Sequence, residues 1–302
     1  MTSPKVVVLI LSYNGKSLLK EAVSSYLNCK YSNFEVVVVD NGSTDGTADY
    51  IASNFPSVIL HRTEKNLKYS GGLNFGMEFA FGSRGAHYAL ITNNDVKAHD
   101  GIIQALVDVA TTDAKIAFTI GKVYYYDSPD IFQTVGKRFH PIYWNGGHIG
   151  QNEHDSGQYD LIEERAWCDD IYWLVSSEIW KLTAGYDTEF AFQGEDFDWQ
   201  IRAKKLGYKI MYAPHAKLWH KESMTIGKSS PFKAYYDARN PLIIHMKYRS
   251  RTEYLKMIRM KVAASFKSTP KWILKLRLRI ALNTWRGVAS AIIWGLRNSK
   301  LP

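Results

Sequence analysis

Several features that would place a chain in a well-known class are scarce or missing from this sequence. Its 302 residues include two cysteines, Cys29 and Cys168, so we expect neither a disulfide framework nor a zinc knuckle, and we expect a reducing, cytoplasmic compartment. The apolar runs near both ends, 6–11 and 287–296, are too short for a signal peptide or a membrane span. The glycine-rich fingerprints of dinucleotide and P-loop phosphate sites are also missing.

Acidic residues are scarce in the last fifth of the chain. Residues 245–302 hold fourteen lysines and arginines against one acid, Glu253, which leaves 24 basic and 28 acidic residues elsewhere. The formal charge of +9 therefore belongs to the tail, and the rest of the chain is net negative. Such a basic tail is typical of a segment that binds an anionic partner.

The first hundred residues alternate short apolar runs with amphipathic stretches. This alternation predicts an α/β fold in which helices cover a largely parallel sheet and ligands bind outside the carboxyl ends of the strands. Strands are predicted at 5–11, 34–39, 57–61 and 87–92, and helices are predicted to begin near Lys16, Thr44 and Gly71. With 46% hydrophobic residues, we expect one main domain over 1–225 and a basic helical region over 226–302.

Three of the predicted strands end in polar clusters, which we expect to open onto one crevice. The clusters lie at 12–14, 40–43 and 93–95. The ring of Tyr13 can stack on a nucleobase, and the carboxylate of Asp40 can accept a hydrogen from the edge of uracil, thymine or guanine. The same residue types also serve as ordinary turn and helix-cap residues, so any one cluster has a purely structural alternative.

A second polar concentration, GEDFDW at 194–199, precedes an amphipathic segment. Acids in a first helical turn stabilise the helix dipole or cap the helix. A carboxylate can equally act as the base that removes a proton from an attacking hydroxyl. From the sequence alone, both the structural and the catalytic interpretation of these acids remain open.

Taken in order, these motifs resemble the inverting nucleotide-sugar glycosyltransferases of family 2. The motifs are SYN (12–14), DNGSTDGT (40–47), KNLKYSGGLNFG (65–76), TNNDV (92–96), GYDTEFAFQGEDFDW (185–199) and WHKES (219–223). The resemblance covers about residues 5–225 and implies the GT-A fold, a Rossmann-like mixed sheet with flanking helices, here followed by a C-terminal amphipathic helical extension. The stretch 235–248, YYDARNPLIIHMKY, resembles the rhamnosyltransferase-like branch that builds bacterial surface polysaccharides.

The resemblance implies a UDP- or dTDP-sugar donor and assigns roles around it. Asp40 would read the base, Asn41 and Ser43 would shape its turn, and the glycines of the 65–76 motif would let backbone approach the nucleotide. That loop has a plain alternative as a flexible turn capped by Asn66. The expected nucleotide-binding residues are Ser12, Tyr13, Asn14, Asp40, Asn41, Ser43, Asn66, Gly71, Gly72, Asn74, Asn93 and Asn94.

A divalent cation, Mn²⁺ or Mg²⁺, is implied at the third cluster, where the family carries a D-x-D motif. This sequence has Asn93-Asn94-Asp95, so Asp95 is the expected metal ligand. His220 resembles a histidine that completes the metal site in some relatives, and an imidazole favours Mn²⁺. The alternative is an ordinary histidine at the edge of the core.

The family places the catalytic base in the acidic pair at the start of the amphipathic segment. We expect Asp196 to be the base and Glu195 to bind the acceptor or to serve as an alternate base. Asp198 is expected to be structural. A sugar nucleotidyltransferase is a competing prediction, but the glycine- and lysine-rich triphosphate loop of that class is missing after the first strand.

The tail carries apolar residues at helical spacing with cations beside them. This pattern predicts one amphipathic helix that lies on an anionic membrane surface, packs on the main domain or forms a homo-oligomer interface. The stripe consists of Leu274, Leu278, Leu282, Trp285, Ala289, Ile292 and Leu296. Because it offers no stacking platform, nucleic acid is not an expected partner. The resemblance implies a polyprenyl-linked glycan acceptor, and hence an enzyme at the inner face of the cell membrane.

Overall fold

The computed structural model describes residues 3–221 and 230–298. The chain forms two compact units, one from Met1–Ala191 and Glu195–Glu222, the other from Phe192–Gly194 and Ser223–Pro302. The boundary predicted between 225 and 226 lies outside the described residues, as do Glu222 and Ser223 of the WHKES motif.

The first unit combines strands and helices in the alternating order that the sequence predicts. Its strands are β1 (Val6–Ser12), β2 (Phe34–Asp40), β3 (Ile59–Arg62), β4 (Tyr88–Thr92), β5 (Val96–Ala98), β6 (Ile116–Tyr125), β7 (Ser128–Thr134), β8 (Lys137–His140), β9 (Trp144–His148), β10 (Glu163–Glu164), β11 (Tyr172–Ser176) and β12 (Lys209–His220). Its helices are α1 (Lys16–Leu27), α2 (Thr47–Asn54), α3 (Lys68–Glu78), α4 (Ile102–Ala110), α5 (Ser177–Thr183) and α6 (Glu195–Lys205), with a π-helical turn at Phe79–Ser83.

The main sheet is mixed and runs in the order β10-β12-β6-β11-β4-β1-β2-β3. Strand β1 is parallel to β2 and β4, and β2 is parallel to β3, whereas β11 is antiparallel to both β4 and β6. Strand β5 pairs with β12, and β7 pairs with β6. This topology confirms the predicted mixed α/β sheet with flanking helices.

The central strands are buried on both faces, which explains why they appear in the sequence as unbroken apolar runs. Along β1, Val8 and Ile10 belong to one core layer, and Val7 and Leu9 belong to the layer on the opposite face. Helices α1 and α4 cover the first layer, and α3, α5 and α6 contribute to the second. The sheet is therefore a rigid base for the residues that follow its strands.

The aromatic segment after β7, which shows no periodicity in the sequence, contains a β-hairpin. Strands β8 and β9 pair only with each other as a two-stranded sheet, with Lys137 opposite His148 and His140 opposite Trp144. We call residues 137–148 the flap hairpin.

The second unit is helical, with α7 (Pro231–Tyr248), α8 (Arg251–Leu274) and α9 (Leu278–Arg297). Ser250 and Glu253 form a capping box at the start of α8. Helix α9 packs closely on α7, since a Cβ added at Gly287 would lie 2.3 Å from the carbonyl oxygen of Tyr235. In the described parts of the chain, no helix combines the length and the apolar character needed to cross a membrane.

The predicted single helix of the tail is wrong at its first residue. Leu274 ends α8, Leu276 takes a left-handed backbone conformation with φ 53°, and α9 begins only at Leu278. In a continuous helix, the alternation in LKLRLRI would place Leu276 on the face opposite Leu274 and Leu278, and the chain turns at Leu276 instead. The rest of the predicted stripe lies on α9, where Leu282 and Leu296 are exposed.

Candidate active site

The first two polar clusters interlock at the carboxyl ends of β1 and β2. Ser12 and Asp40 are register partners. The Ser43 hydroxyl accepts a hydrogen bond from the backbone N–H of Asn14 (2.9 Å), and the Asn14 side chain accepts one from the backbone of Thr44 (2.8 Å). Asn14 has φ 50°, a left-handed conformation that asparagine tolerates. The two turns therefore form one fixed edge of the site.

Asp40 is fully buried and is held by its own turn. Its Oδ1 accepts the backbone N–H of Ser43 (2.9 Å), and its Oδ2 lies 3.1 Å from Nε of Arg62. Oδ2 makes no hydrogen bond within the described residues. Arg62, which the sequence did not single out, therefore covers the carboxylate, and a base that binds Oδ2 has to displace it. Tyr13 is exposed beside this turn.

Asn41 fastens the predicted nucleotide loop to the end of β2. Its Oδ1 accepts the backbone N–H of Leu67 (2.9 Å), and its Nδ2 donates to the carbonyl of Lys68 (2.8 Å). Asn66 accepts the N–H of Lys68 (2.7 Å), as a capping side chain does. A Cβ added at Gly72 would lie 2.8 Å from Nδ2 of Asn41, so the start of α3 approaches the sheet edge as closely as glycine allows.

Asn74 and Gly71 lie on α3 in different surroundings. Both amide atoms of Asn74 bond the backbone of Tyr186, accepting its N–H (2.9 Å) and donating to its carbonyl (2.8 Å). The Asn74 amide therefore ties α3 to the loop that follows α5. A Cβ at Gly71 would meet only the side chain of Leu67, at 3.0 Å.

Strand pairing brings Asp95 and His220 together although 125 positions separate them. Strand β5 is antiparallel to β12 with His220 opposite Val96, and Nε2 of His220 lies 3.3 Å from Oδ1 of Asp95. Both side chains are buried. Nδ1 of His220 is 2.9 Å from Oε1 of Gln133 on β7. Because an amide oxygen only accepts, Nδ1 is the donor in this contact, and Nε2 is the ring nitrogen that faces Asp95.

This pair fits a divalent cation. A carboxylate oxygen and an oriented imidazole nitrogen are suitable ligands, and a partner on the second ring nitrogen is typical of metal-binding histidines. No group of three or more His, Cys, Asp or Glu residues within the described ranges could hold a metal. The chain therefore offers two ligands here, and a bound diphosphate and water would complete the shell.

The remaining residues of the third cluster lie beside the first. The Asn94 amide donates to the Ser12 hydroxyl at 3.3 Å, and the Tyr69 hydroxyl lies 3.5 Å from the side-chain oxygen of Asn93. Since β11 is antiparallel to β4 with Tyr172 opposite Thr92, the segment preceding β11 reaches the same edge of the sheet. The strand register thus brings the side chains predicted to bind the nucleotide and the metal to one edge of the sheet.

Helix α6 begins with the predicted acidic pair, and a second acidic pair lies against it. Glu195 is buried, whereas Asp196 is half-buried. The fully buried Gln200 accepts the N–H of Cys168 (2.8 Å) and donates to the carbonyls of Cys168 (3.1 Å) and Asp196 (3.0 Å). Gln200 therefore locks α6 to the segment that carries Asp169 and Asp170.

Burial and mutual repulsion raise the pKa of three of these carboxyl groups. Burial is the main cause for Glu195, Asp196 and Asp170, followed by a neighbouring carboxylate for Glu195 and Asp170. Lys137 opposes the upward shift of the Asp196 pKa. Burial also acts to raise the pKa of Asp169, but the neighbouring Lys137 and His148 together outweigh burial and lower its pKa. Burial therefore favours the protonated form of Glu195, Asp196 and Asp170 more than water would.

Asp198 has a different environment from the other acids of α6. It is fully buried, and its Oδ2 accepts from Nε of Arg202 at 2.8 Å. This pairing across one helical turn agrees with the structural role expected for Asp198.

Sequence reasoning missed Arg62, Gln133, Lys137 and the Asp169-Asp170 pair. The acidic pair left a usable signal, because two adjacent acids directly precede a strand. Gln133, Arg62 and Lys137 left none, since each reaches the site through tertiary contacts.

The chain resembles known proteins over most of its length. The model of the family described as Glycosyl transferase family 2 matches residues 7–159. The N-acetylglucosaminyl-diphospho-decaprenol L-rhamnosyltransferase of Mycobacterium tuberculosis is 26% identical over 241 residues, which cover 73% of this chain and 77% of that protein. An uncharacterized glycosyltransferase of Rickettsia typhi is 31% identical over 94 residues, 31% of this chain. That match spans only 28% of the Rickettsia protein.

Solved structures share the fold. A mannosyltransferase from Pyrobaculum calidifontis in complex with GDP-Man and Mn²⁺ has a TM-score of 0.52 at 16% identity, over 96% of this chain and 76% of that one. GalNAc-T7 with UDP, GalNAc and Mn²⁺ has a TM-score of 0.62 at 14% identity, and the match covers 99% of this chain and 59% of that one. These neighbours confirm the predicted GT-A fold. The family model covers half of the chain, and the chain belongs to glycosyl transferase family 2.

Proposed function

We propose that this protein is a metal-dependent inverting glycosyltransferase that moves a sugar, expected to be rhamnose, from a UDP- or dTDP-sugar to a lipid-linked glycan. The observation that supports the proposal is that the turn at Asp40, the Asp95–His220 pair and the segment that Gln200 ties to the start of α6 lie at one edge of the sheet. Family membership and the rhamnosyltransferase relative support it.

Donor binding is proposed at the interlocked turns. Oδ2 of Asp40 would accept N3–H of the pyrimidine after Arg62 moves aside, and Tyr13 would stack on the ring. Arg62 would then be free to contact the donor's phosphates. The close approach of α3 through Gly72 would bring backbone N–H groups toward the diphosphate.

Asp95 and His220 would hold the cation together with the diphosphate. A bound divalent cation supplies charge neutralisation for the departing nucleoside diphosphate. The two solved structures that share the fold contain Mn²⁺, and the imidazole of His220 favours the same ion.

Asp196 is proposed to take the proton of the acceptor hydroxyl as that oxygen attacks the anomeric carbon from the side opposite the diphosphate. It is half-buried, whereas Glu195 is buried. A base has to be reached by the acceptor, which favours Asp196. Its raised pKa makes it a stronger base than a free aspartate, and Lys137 keeps part of the population ionised.

The acceptor is proposed to be a polyprenyl-diphosphate-linked sugar, the substrate class in the name of the M. tuberculosis relative, used in bacterial surface polysaccharide synthesis. In the second unit, the turn between α8 and α9 supports membrane docking. Leu274 and Leu276 are 84% and 89% exposed, and Lys275, Arg277 and Arg279 lie between and beside the leucines. Each cation would contribute about 1 kcal/mol near an anionic surface, which would place the enzyme peripherally at the inner face of the membrane.

The reaction is tested by replacing Asp196 with Asn. Asp196→Asn should lower transfer by about 10²- to 10⁴-fold while UDP or dTDP binding, measured calorimetrically with Mn²⁺, stays as in the wild type. Asp108→Asn, on the exposed side of α4, is the matched control. Retained turnover in Asp196→Asn would remove the assignment of the base. Pyrophosphate release from a nucleoside triphosphate would identify a nucleotidyltransferase instead.

Membrane docking has a separate test with two exposed leucines. Leu276→Glu should abolish flotation with vesicles that contain phosphatidylglycerol at low salt. Leu161→Glu, at a 71% exposed position of the first unit, should leave it intact. If wild-type protein does not float, or if both variants float equally well, the tail does not bind membranes.

A further inference from the structure

Three aromatic rings lie beside the candidate base. Trp144 begins β9 in the flap hairpin, Trp167 precedes the segment that Gln200 holds, and Phe197 directly follows Asp196 on α6. The rings of Trp167 and Phe197 have centroids 4.5 Å apart, and the ring of Trp144 lies 6.5 Å from the first and 6.4 Å from the second. They form an aromatic cluster in which Trp144 and Phe197 are half-buried and Trp167 is buried, and Phe197 adjoins the half-buried Asp196 in the chain.

The flap hairpin is attached to the acidic segment at its base. Lys137 and His148, which are cross-strand partners, both face Asp169: Lys137 forms an ion pair with its Oδ1, and Nδ1 of His148 lies 3.2 Å from its Oδ2. The backbone N–H of Lys137 donates to the carbonyl of Trp167 at 2.7 Å. The half-buried Asp169 therefore contacts both strands of the hairpin at its base, on the side where Trp144 lies near the other two rings.

Two local features of these residues are unfavourable for packing alone. Trp144 has φ 63°, a left-handed conformation that is rare and strained for a bulky aromatic residue. The indole of Trp167 is 7% exposed, and its Nε1 has no hydrogen-bond partner in the described ranges, although a buried indole N–H ordinarily has one. The Nε1 of the core residue Trp173 also lacks a partner among the described residues, but Trp173 is completely enclosed, whereas Trp167 keeps some exposure.

Aromatic faces, a free N–H donor and a carboxylate suit a pyranose ring. The C–H groups on one face of the sugar pack on aromatic carbon, while its hydroxyls need polar partners at the edge. We propose that Trp144, Trp167 and Phe197 form the acceptor subsite, which binds the face of the acceptor sugar and directs a hydroxyl to Asp196. This inference rests on the proposed function, because it takes Asp196 as the base.

The test separates acceptor binding from chemistry on the donor. The probe is a short-chain prenyl diphosphate carrying N-acetylglucosamine, and hydrolysis of the donor without acceptor is measured in parallel. Trp144→Ala should raise the KM for the probe by about tenfold, the loss expected from one aromatic contact. The donor KM and donor hydrolysis should stay as in the wild type, and Trp144→Phe should recover most of the acceptor affinity.

Tyr143→Ala is the matched control, because Tyr143 is an exposed ring of the same hairpin that stacks on His140 at 4.9 Å. Saturation-transfer NMR between aromatic protons and the probe's sugar protons gives a binding readout in the Trp144→Phe variant, should Trp144→Ala unfold. An unchanged acceptor KM in folded Trp144→Ala, or an equal effect in Tyr143→Ala, would overturn the subsite alone. Absence of nucleotide binding and of donor hydrolysis in the wild type would overturn the proposed function with it.

Discussion

Replacing Gln133 with methionine tests whether the Asp95–His220 pair is a metal site. Oε1 of Gln133 lies 2.9 Å from Nδ1 of His220, and Gln133 is buried. Methionine fills a similar volume but accepts hydrogen bonds weakly. Without that acceptor, the imidazole no longer has a fixed tautomer, and the hydrogen can occupy Nε2, the nitrogen that faces Asp95.

The expected loss of metal affinity follows from the hydrogen bond that the substitution removes. Removal of such a partner typically costs 10- to 100-fold in metal affinity, or about 1.4–2.7 kcal/mol. A neutral hydrogen bond contributes about 0.5–1.5 kcal/mol, which places Gln133→Met near the lower end, at about tenfold. Gln133→Glu should bind at least as well as the wild type, because a carboxylate accepts the same hydrogen and makes the imidazole more basic.

The assay is an electron paramagnetic resonance titration of Mn²⁺ in the presence of UDP, which needs no turnover. Gln104→Met, on the exposed surface of α4, is the matched control, and His220→Ala provides the full loss of one ligand. Equal Mn²⁺ affinity in the wild type, Gln133→Met and His220→Ala would refute the reasoning, because it would show that neither the imidazole nor its orientation contributes to the metal site.

Three further predictions concern the acidic cluster and the nucleotide loop. Lys137→Met removes the cation that lowers the pKa of Asp196, so the acid limb of the pH profile of kcat/KM should move to higher pH; an unmoved limb would contradict this. Burial raises the pKa of Asp170 from 3.8 to about 8. The folded state therefore holds a proton that the unfolded state releases, and stability falls as pH rises between those values. Asp170→Asn should accordingly raise the Tm more at about pH 8 than at about pH 5, and thermal unfolding with equal shifts at both pH values would count against it. Gly72→Ala places a Cβ 2.8 Å from two side chains and should lower the unfolding free energy by about 1–3 kcal/mol. Gly82→Ala, where a Cβ meets nothing within 4 Å, should show a far smaller change in the same denaturation experiment.

The strands and the edge of the site were predictable because their causes are local. A parallel strand buried on both faces must be apolar along its buried length, as β1 is over 6–11 and β2 over 36–39, and its polar termination marks the carboxyl edge. The predicted helix starts near Thr44 and Gly71 differ by three residues from the observed starts of α2 and α3. Turn and cap residues occur on both sides of such starts, so periodicity alone does not locate them.

The partners of the site residues were not predictable, because they arise from pairing between distant strands. Gln133 meets His220 only because β7 and β12 both pair with β6, and Lys137 meets Asp169 only through the hairpin. In the tail, the spacing of leucines indicated a helix correctly but continued it through Leu276, where the backbone turns.

The flap hairpin has a consequence for how specificity can change. Among the residues that the structure describes, its two strands pair with no strand of the main sheet, and one isolated bridge joins Lys137 to Trp167. Its length and tip can therefore be altered, or exchanged for those of a relative, without shifting the strands that end in Asp40 and His220 or the β4–β5 connection that carries Asp95. Grafting experiments that preserve Lys137, His148 and Asp169 would then change which acceptor is bound, while the positions of Asp40, Asp95 and His220 stay the same.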